Sequence, residues 1–271
     1  MFLRKLQQFG FAFLLALMLP ARTVSASTDD RIQVYVDKYL ETGDLEDLCF
    51  AYYENRKILS LNPDDPQGNL REASFRIEGL NYDFDSIGGF SSPQVNELIG
   101  DCPVNNFNDI APHPSTIVPD TYYNQPVRYN LEQALKGGID HPEFFILYAR
   151  FLLDINDAAK AIEITELGIK KAPKGSSAAD SVAELYFQNG IANTRLMEQA
   201  TQSMSSSRTP LVNIPLIGNI GGLRRNSVDD VTYYYRKAKQ ATEQSLKLRE
   251  HSEVRELLRE LEQRAQILGV S

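Results

Sequence analysis

The chain holds two cysteines and three histidines and carries more acid than base, and each shortage excludes something. Two cysteines cannot build a disulfide-dense scaffold or a four-cysteine zinc site. The histidines, His113, His141 and His251, are scattered, which argues against a histidine-rich metal centre. Lys and Arg number 28 against 36 Asp and Glu, a net charge of −8. Binding to a phosphate backbone needs a clustered excess of cations, so nucleic acid is excluded as the partner. No Asn-x-Ser/Thr glycosylation signal occurs. Past residue 20 no apolar run approaches the roughly 20 residues that span a bilayer. What is present, 42% hydrophobic and 24% charged residues, is the composition of a folded chain rather than a disordered one.

The first 26 residues read as a secretory leader. Arg4 and Lys5 make a positive start, Phe11 to Leu19 an apolar centre that Pro20 ends, and Val24 and Ala26 are small residues at the −3 and −1 sites. Cleavage is expected after Ala26. No cysteine stands near the cut, so a lipid anchor is not expected. The mature chain is expected in an exported compartment, a bacterial periplasm, with no transmembrane segment. In oxidising surroundings Cys49 and Cys102 are expected to pair, closing a long loop worth about 3–4 kcal/mol in the chain-entropy picture. The alternative is two buried thiols; without Cys-x-x-Cys spacing a redox-active pair is not indicated.

Hydrophobic spacing of three and four predicts an all-α fold. Ile32, Val36 and Tyr39 form one face, stopped at Gly43-Asp44. Leu45, Leu48, Cys49 and Tyr52 form the next, stopped at Asn62-Pro63. Asp65-Pro66 is a helix-start signal for a third helix through Leu70, Ala73, Ile77 and Leu80. These helices make an N-terminal region, 27–80. Residues 81–125, with five prolines and no sustained period, are expected as a long irregular insert. Helix resumes at Pro126 and opens a C-terminal region, 126–271. Breaks are predicted at Gly137-Gly138, Asn156-Asp157, Ala172-Pro173 and Asn189-Gly190. Ser176 or Ser177 offers a cap for the helix that precedes the last of these. An apolar loop over 205–226 must cover something. Two helices follow, one through Val228, Val231, Tyr235, Ala238 and Leu248, the other, a cap, through Val254, Leu258, Leu261, Ala265 and Leu268.

Few positions carry chemistry. Asn81, Asp83 and Asp85 have the spacing of a calcium loop, but Ser86 and Ser92 stand where the turn glycine and bidentate glutamate belong. The run Gly218 to Arg225 lacks the Gly-Lys-Ser/Thr ending of a phosphate loop. The pairs Asp29-Asp30, Asp64-Asp65 and Asp229-Asp230 all precede helical runs, where acids complement the helix dipole. Tyrosine clusters at 52–53, 122–123 and 233–235 fit either core packing or ligand contact. No catalytic residue, metal or cofactor is expected.

A period runs through the C-terminal region. Phe145, Tyr148, Ala149 and Leu152 match Ala179, Val182, Ala183 and Tyr186 at an offset of 34, and Asn156 maps onto Gly190. This pattern resembles the tetratricopeptide repeat, two antiparallel helices in about 34 residues. Phe145 takes its first large apolar position, Tyr148 and Ala149 its Leu-Gly pair, and Leu152 its aromatic. Ala161 and Gly168 take its small positions, and Pro173 its terminal proline. Thr165 stands where the repeat carries an aromatic, and Arg195 where it carries a small residue. Tyr39, Gly43-Asp44 and the stretch Asn62 to Pro66 resemble it too. The resemblance implies an array of helix-turn-helix units binding an extended peptide on a concave face. Carried onto this chain, that face is Arg150, Leu153 and Asp154 from one unit and Asp180, Glu184, Phe187 and Gln188 from the next. The implied function is that of an adaptor or scaffold for an envelope or secreted protein, without chemistry of its own. The alternative is an envelope hydrolase or glycan-binding protein using His113 with Asp109 or Asp120 in the insert.

Overall fold

The computed structural model describes residues 26–81, 124–173, 178–206 and 221–270. Among them the fold is all-α, with no strand, as the spacing predicted. The chain divides into two compact units, residues 1–139 and 140–271.

In the first unit, α1 (Ala26–Thr42) and α2 (Leu45–Leu61) form a hairpin. Gly43, at φ +72°, makes the left-handed turn that a side chain would resist. Asp44 then caps α2, its carboxylate accepting the Glu46 N–H at 3.0 Å. Ile32, Val36 and Tyr39 of α1 face Leu48, Cys49 and Tyr52 of α2, all buried. Helix α3 (Pro66–Asn81) starts as its Asp-Pro signal requires, with the Asp65 carboxylate accepting the Gly68 N–H at 2.5 Å. From Gly68 to Phe75 it is buried on every face, polar residues included. Helix α4 (Asn124–Lys136) packs on α3. The sequence grouped α4 with the C-terminal region, but here it belongs to the first unit. Close packing explains the arrangement: a Cβ on Gly137 would come within 2.2 Å of the Pro66 ring.

The second unit opens with α5 (Pro142–Asp154), which has Pro142 in its first turn and His141 as cap. Ten of its residues are buried, and Phe144 and Phe145 meet edge to face at 5.1 Å. Asn156, at φ +63°, turns the chain, and Asp157 caps α6 (Ala158–Lys171) by accepting the Lys160 N–H at 3.2 Å. Helix α7 (Ala179–Ser206) packs against both α5 and α6. Its predicted break at Asn189-Gly190 is absent, and the helix runs straight through. The reason is contact with α8 (Gly221–Leu248): a Cβ on Gly190 would lie 2.7 Å from the Thr242 hydroxyl, so the glycine serves close packing rather than a turn. The α7–α8 pair is the most extensive helix contact in the unit.

Helix α8 begins at Gly221, inside the stretch expected as loop, because the first N–H groups of a helix need no partner within it and glycine is tolerated there. Val228 and Leu248, predicted for its inner face, are exposed. Helix α9 (Ser252–Leu268) closes on Val254, Leu261 and Ala265, and Gly269, at φ +66°, ends it. None of the described helices is long and apolar enough to cross a membrane. The predicted leader, Ser176 and Ser177, and residues 207–220 of the apolar loop lie outside the described residues.

Candidate functional site

The residues assigned to a binding face all lie in the second unit, and three come together. Arg150 of α5 donates through Nη2 to Glu184 Oε1 of α7 at 2.7 Å, and Gln188 Nε2 donates to the same oxygen at 2.7 Å. Arg150 and Glu184 are each about one-quarter exposed (27% and 26%), so the pair forms a fixed polar seam open to solvent on one side. Of the other four, three diverge. Leu153 is buried, and its carbonyl accepts from the Arg195 guanidinium, so its side chain is core rather than face. Asp154 is exposed at the end of α5. Asp180 is exposed, with the Arg249 Nε at 3.9 Å. Phe187 stays beside the seam: with Glu184, Ser245, Arg249, His251 and Val254 it lines a cavity of about 20 Å³, room for roughly one water.

Helix spacing alone could not separate these positions, because the long α8 and the α8–α9 turn close over part of α7. Thr165, where the repeat has an aromatic, is buried. It accepts from Asn189 Nδ2 at 2.8 Å and donates to the Ile162 carbonyl at 2.9 Å. Asn193 Nδ2 donates in turn to Asn189 Oδ1 at 2.9 Å. A satisfied polar chain thus fills the space an aromatic ring would take.

His141 acts as a cap, its Nδ1 accepting the Phe144 N–H at 3.3 Å. Glu143 accepts from Ser181 Oγ at 2.9 Å through Oε1, while its Oε2 lies 3.6 Å from His141 Nδ1. The adjoining His141 imidazole, above all, with help from the Ser181 hydroxyl, holds the Glu143 carboxyl down at about 2 despite partial burial. The order of the three groups matters. A nucleophilic serine needs an imidazole beside it and a carboxylate behind. Here the carboxylate stands next to Ser181, and at so low a pKa it is a feeble base.

The first unit holds a buried ionic cluster that sequence reasoning missed. Glu72 of α3 receives Arg56 at 3.2 Å and Arg76 at 3.1 Å on one oxygen and Asn55 Nδ2 at 3.3 Å on the other. Arg76 Nη2 also donates to the Tyr52 hydroxyl at 3.1 Å. Burial and the nearby Glu72 charge push the Tyr52 hydroxyl up to about 12. The only local signal was Asn69, Arg71 and Glu72 interleaved with the apolar Leu70 and Ala73 in one helix.

Among the described residues no group of three or more His, Cys, Asp or Glu side chains is placed to hold a metal ion. Cys49 is fully buried on α2. Its predicted partner Cys102, the suspects His113, Asp109 and Asp120, and the Asp83 to Asp85 loop lie outside the described residues. No protein-family model, curated protein or solved structure matches the chain.

Proposed function

We propose that the protein is an exported, non-catalytic adaptor of the cell envelope, related in design to tetratricopeptide arrays, that holds a polypeptide segment against the α5–α7 face. One observation carries this reading. Arg150 and Glu184, joined by a hydrogen bond, are 34 residues apart, so equivalent positions in successive units lie side by side. The close approach of Gly168 to Phe145 supports the same spacing, because small residues at those positions let paired helices meet. A bound segment would gain specificity from the Arg150, Glu184 and Gln188 seam and affinity from a few anchors near its centre. Export and a Cys49–Cys102 bridge belong to the same proposal. The exported protein is expected to begin at Ser27 and to weigh less than its reduced form by the two thiol hydrogens.

Site-specific photo-cross-linking in intact cells tests the reading. A photoreactive residue at Arg150 or Asp154 is expected to capture one protein reproducibly, and the same residue at Glu262 on α9 is not. Capture independent of position, or enrichment of glycan in place of protein, overturns it.

A further inference from the structure

The buried carboxylates of the first unit have a consequence at its surface. Glu54 and Glu72 are nearly inaccessible, with side chains 9% and 1% exposed. Each draws two cations: Arg31 at 4.0 Å and Lys57 at 2.6 Å on Glu54, Arg56 and Arg76 on Glu72. The negative charges are inside and the positive ones face out, for Arg31, Arg56 and Lys57 are each about half exposed. On a chain of net charge −8 this is a local reversal of sign. The cations are also held in place, since each stands on an anchored carboxylate. Lys57 Nζ further lies 4.3 Å above the Tyr53 ring.

We propose that the open end of the α1–α2 hairpin, where Arg31, Arg56 and Lys57 stand over Glu54 and Glu72 beside Tyr53, is a docking surface for an acidic polypeptide segment. Charge complementarity selects an anion, and the chemistry of the patch selects among anions. Guanidinium forks match carboxylates in shape as well as charge. Three exposed cations are too few for the counterion release that drives binding to nucleic acid. They also fall short of the flexible run of four to eight Lys or Arg that holds an anionic membrane. This surface belongs to the first unit, the α5–α7 face to the second.

The test uses fluorescein-labelled hexaglutamate and the purified full chain, read by fluorescence anisotropy. Binding is expected at low ionic strength, weakening as salt is raised. The double variant R56Q/K57Q is expected to bind about tenfold more weakly. The R56K/K57R variant should keep most of the affinity, and R259Q, on the exposed side of α9, all of it. Thermal melts verify that each variant is folded. The proposal is overturned by absence of binding at low salt, or by equal affinity in R56Q/K57Q. It is equally overturned if phosphatidylserine vesicles bind through these residues while the peptide does not. Self-association in light scattering that R56Q/K57Q abolishes, with no peptide binding, would assign the surface to a second copy instead.

Discussion

At the scale of single residues, the glycines and acids that terminate and start helices have clear physical duties, and two lead to measurable outcomes. Gly168 lies inside α6, where alanine is intrinsically favoured by about 1 kcal/mol. Its added Cβ would stand 2.6 Å from the Phe145 Cβ, an atom rooted on the neighbouring backbone. Overpacking wins, so Gly168→Ala is expected to destabilise by about 1–3 kcal/mol in urea unfolding. Glu143 is the second case. Its folded pKa of about 2 lies below the ordinary 4.5 of a free glutamate, so its contribution to stability is complete above 4.5 and is lost as pH falls toward 2. Glu143→Gln should therefore destabilise at pH 7 and make progressively less difference toward pH 2. Equal loss at both ends of that range would mean that the carboxylate charge is not what binds α5 to α7.

At the scale of elements, the breaks at Gly43, Gly138 and Asn156 were legible because each residue adopts a positive φ that most side chains avoid. Asp44, Asp65 and Asp157 were legible as caps for an equally local reason. Gly190 was misread because its cause lies 52 residues away, in Thr242. Nothing near Asn189 distinguishes a glycine that turns the chain from one that admits a neighbour. The amides of residues 187 to 194 should exchange as slowly as those of the rest of α7, and rapid exchange confined there would restore the break. The candidate site was legible to the same degree. Spacing grouped Arg150, Glu184 and Gln188, whose side chains meet, whereas the surroundings of Leu153 and Phe187 depend on α8, α9 and Arg195. The ionic cluster on Glu72 was not readable as a cluster, because its members come from different helices and have no shared period.

At the scale of the whole molecule, two compact units meet in sequence at Ile139–Asp140. The second contains its own caps, a core running from Phe144 to Val270, and the closing turn at Gly269. A fragment of residues 140–271 is expected to be helical by circular dichroism and to melt in one cooperative transition. A broad, non-cooperative melt would show that it borrows stability from the first unit.

That unit also differs in one respect from a stack of interchangeable repeats. Solenoids unzip from their ends because each module leans only on the next. Here α7 is the common beam: α5 and α6 rest on one flank, and α8 lies along the other for most of its length. Three helices thus depend on one, and failure of α7 brings down both flanks together.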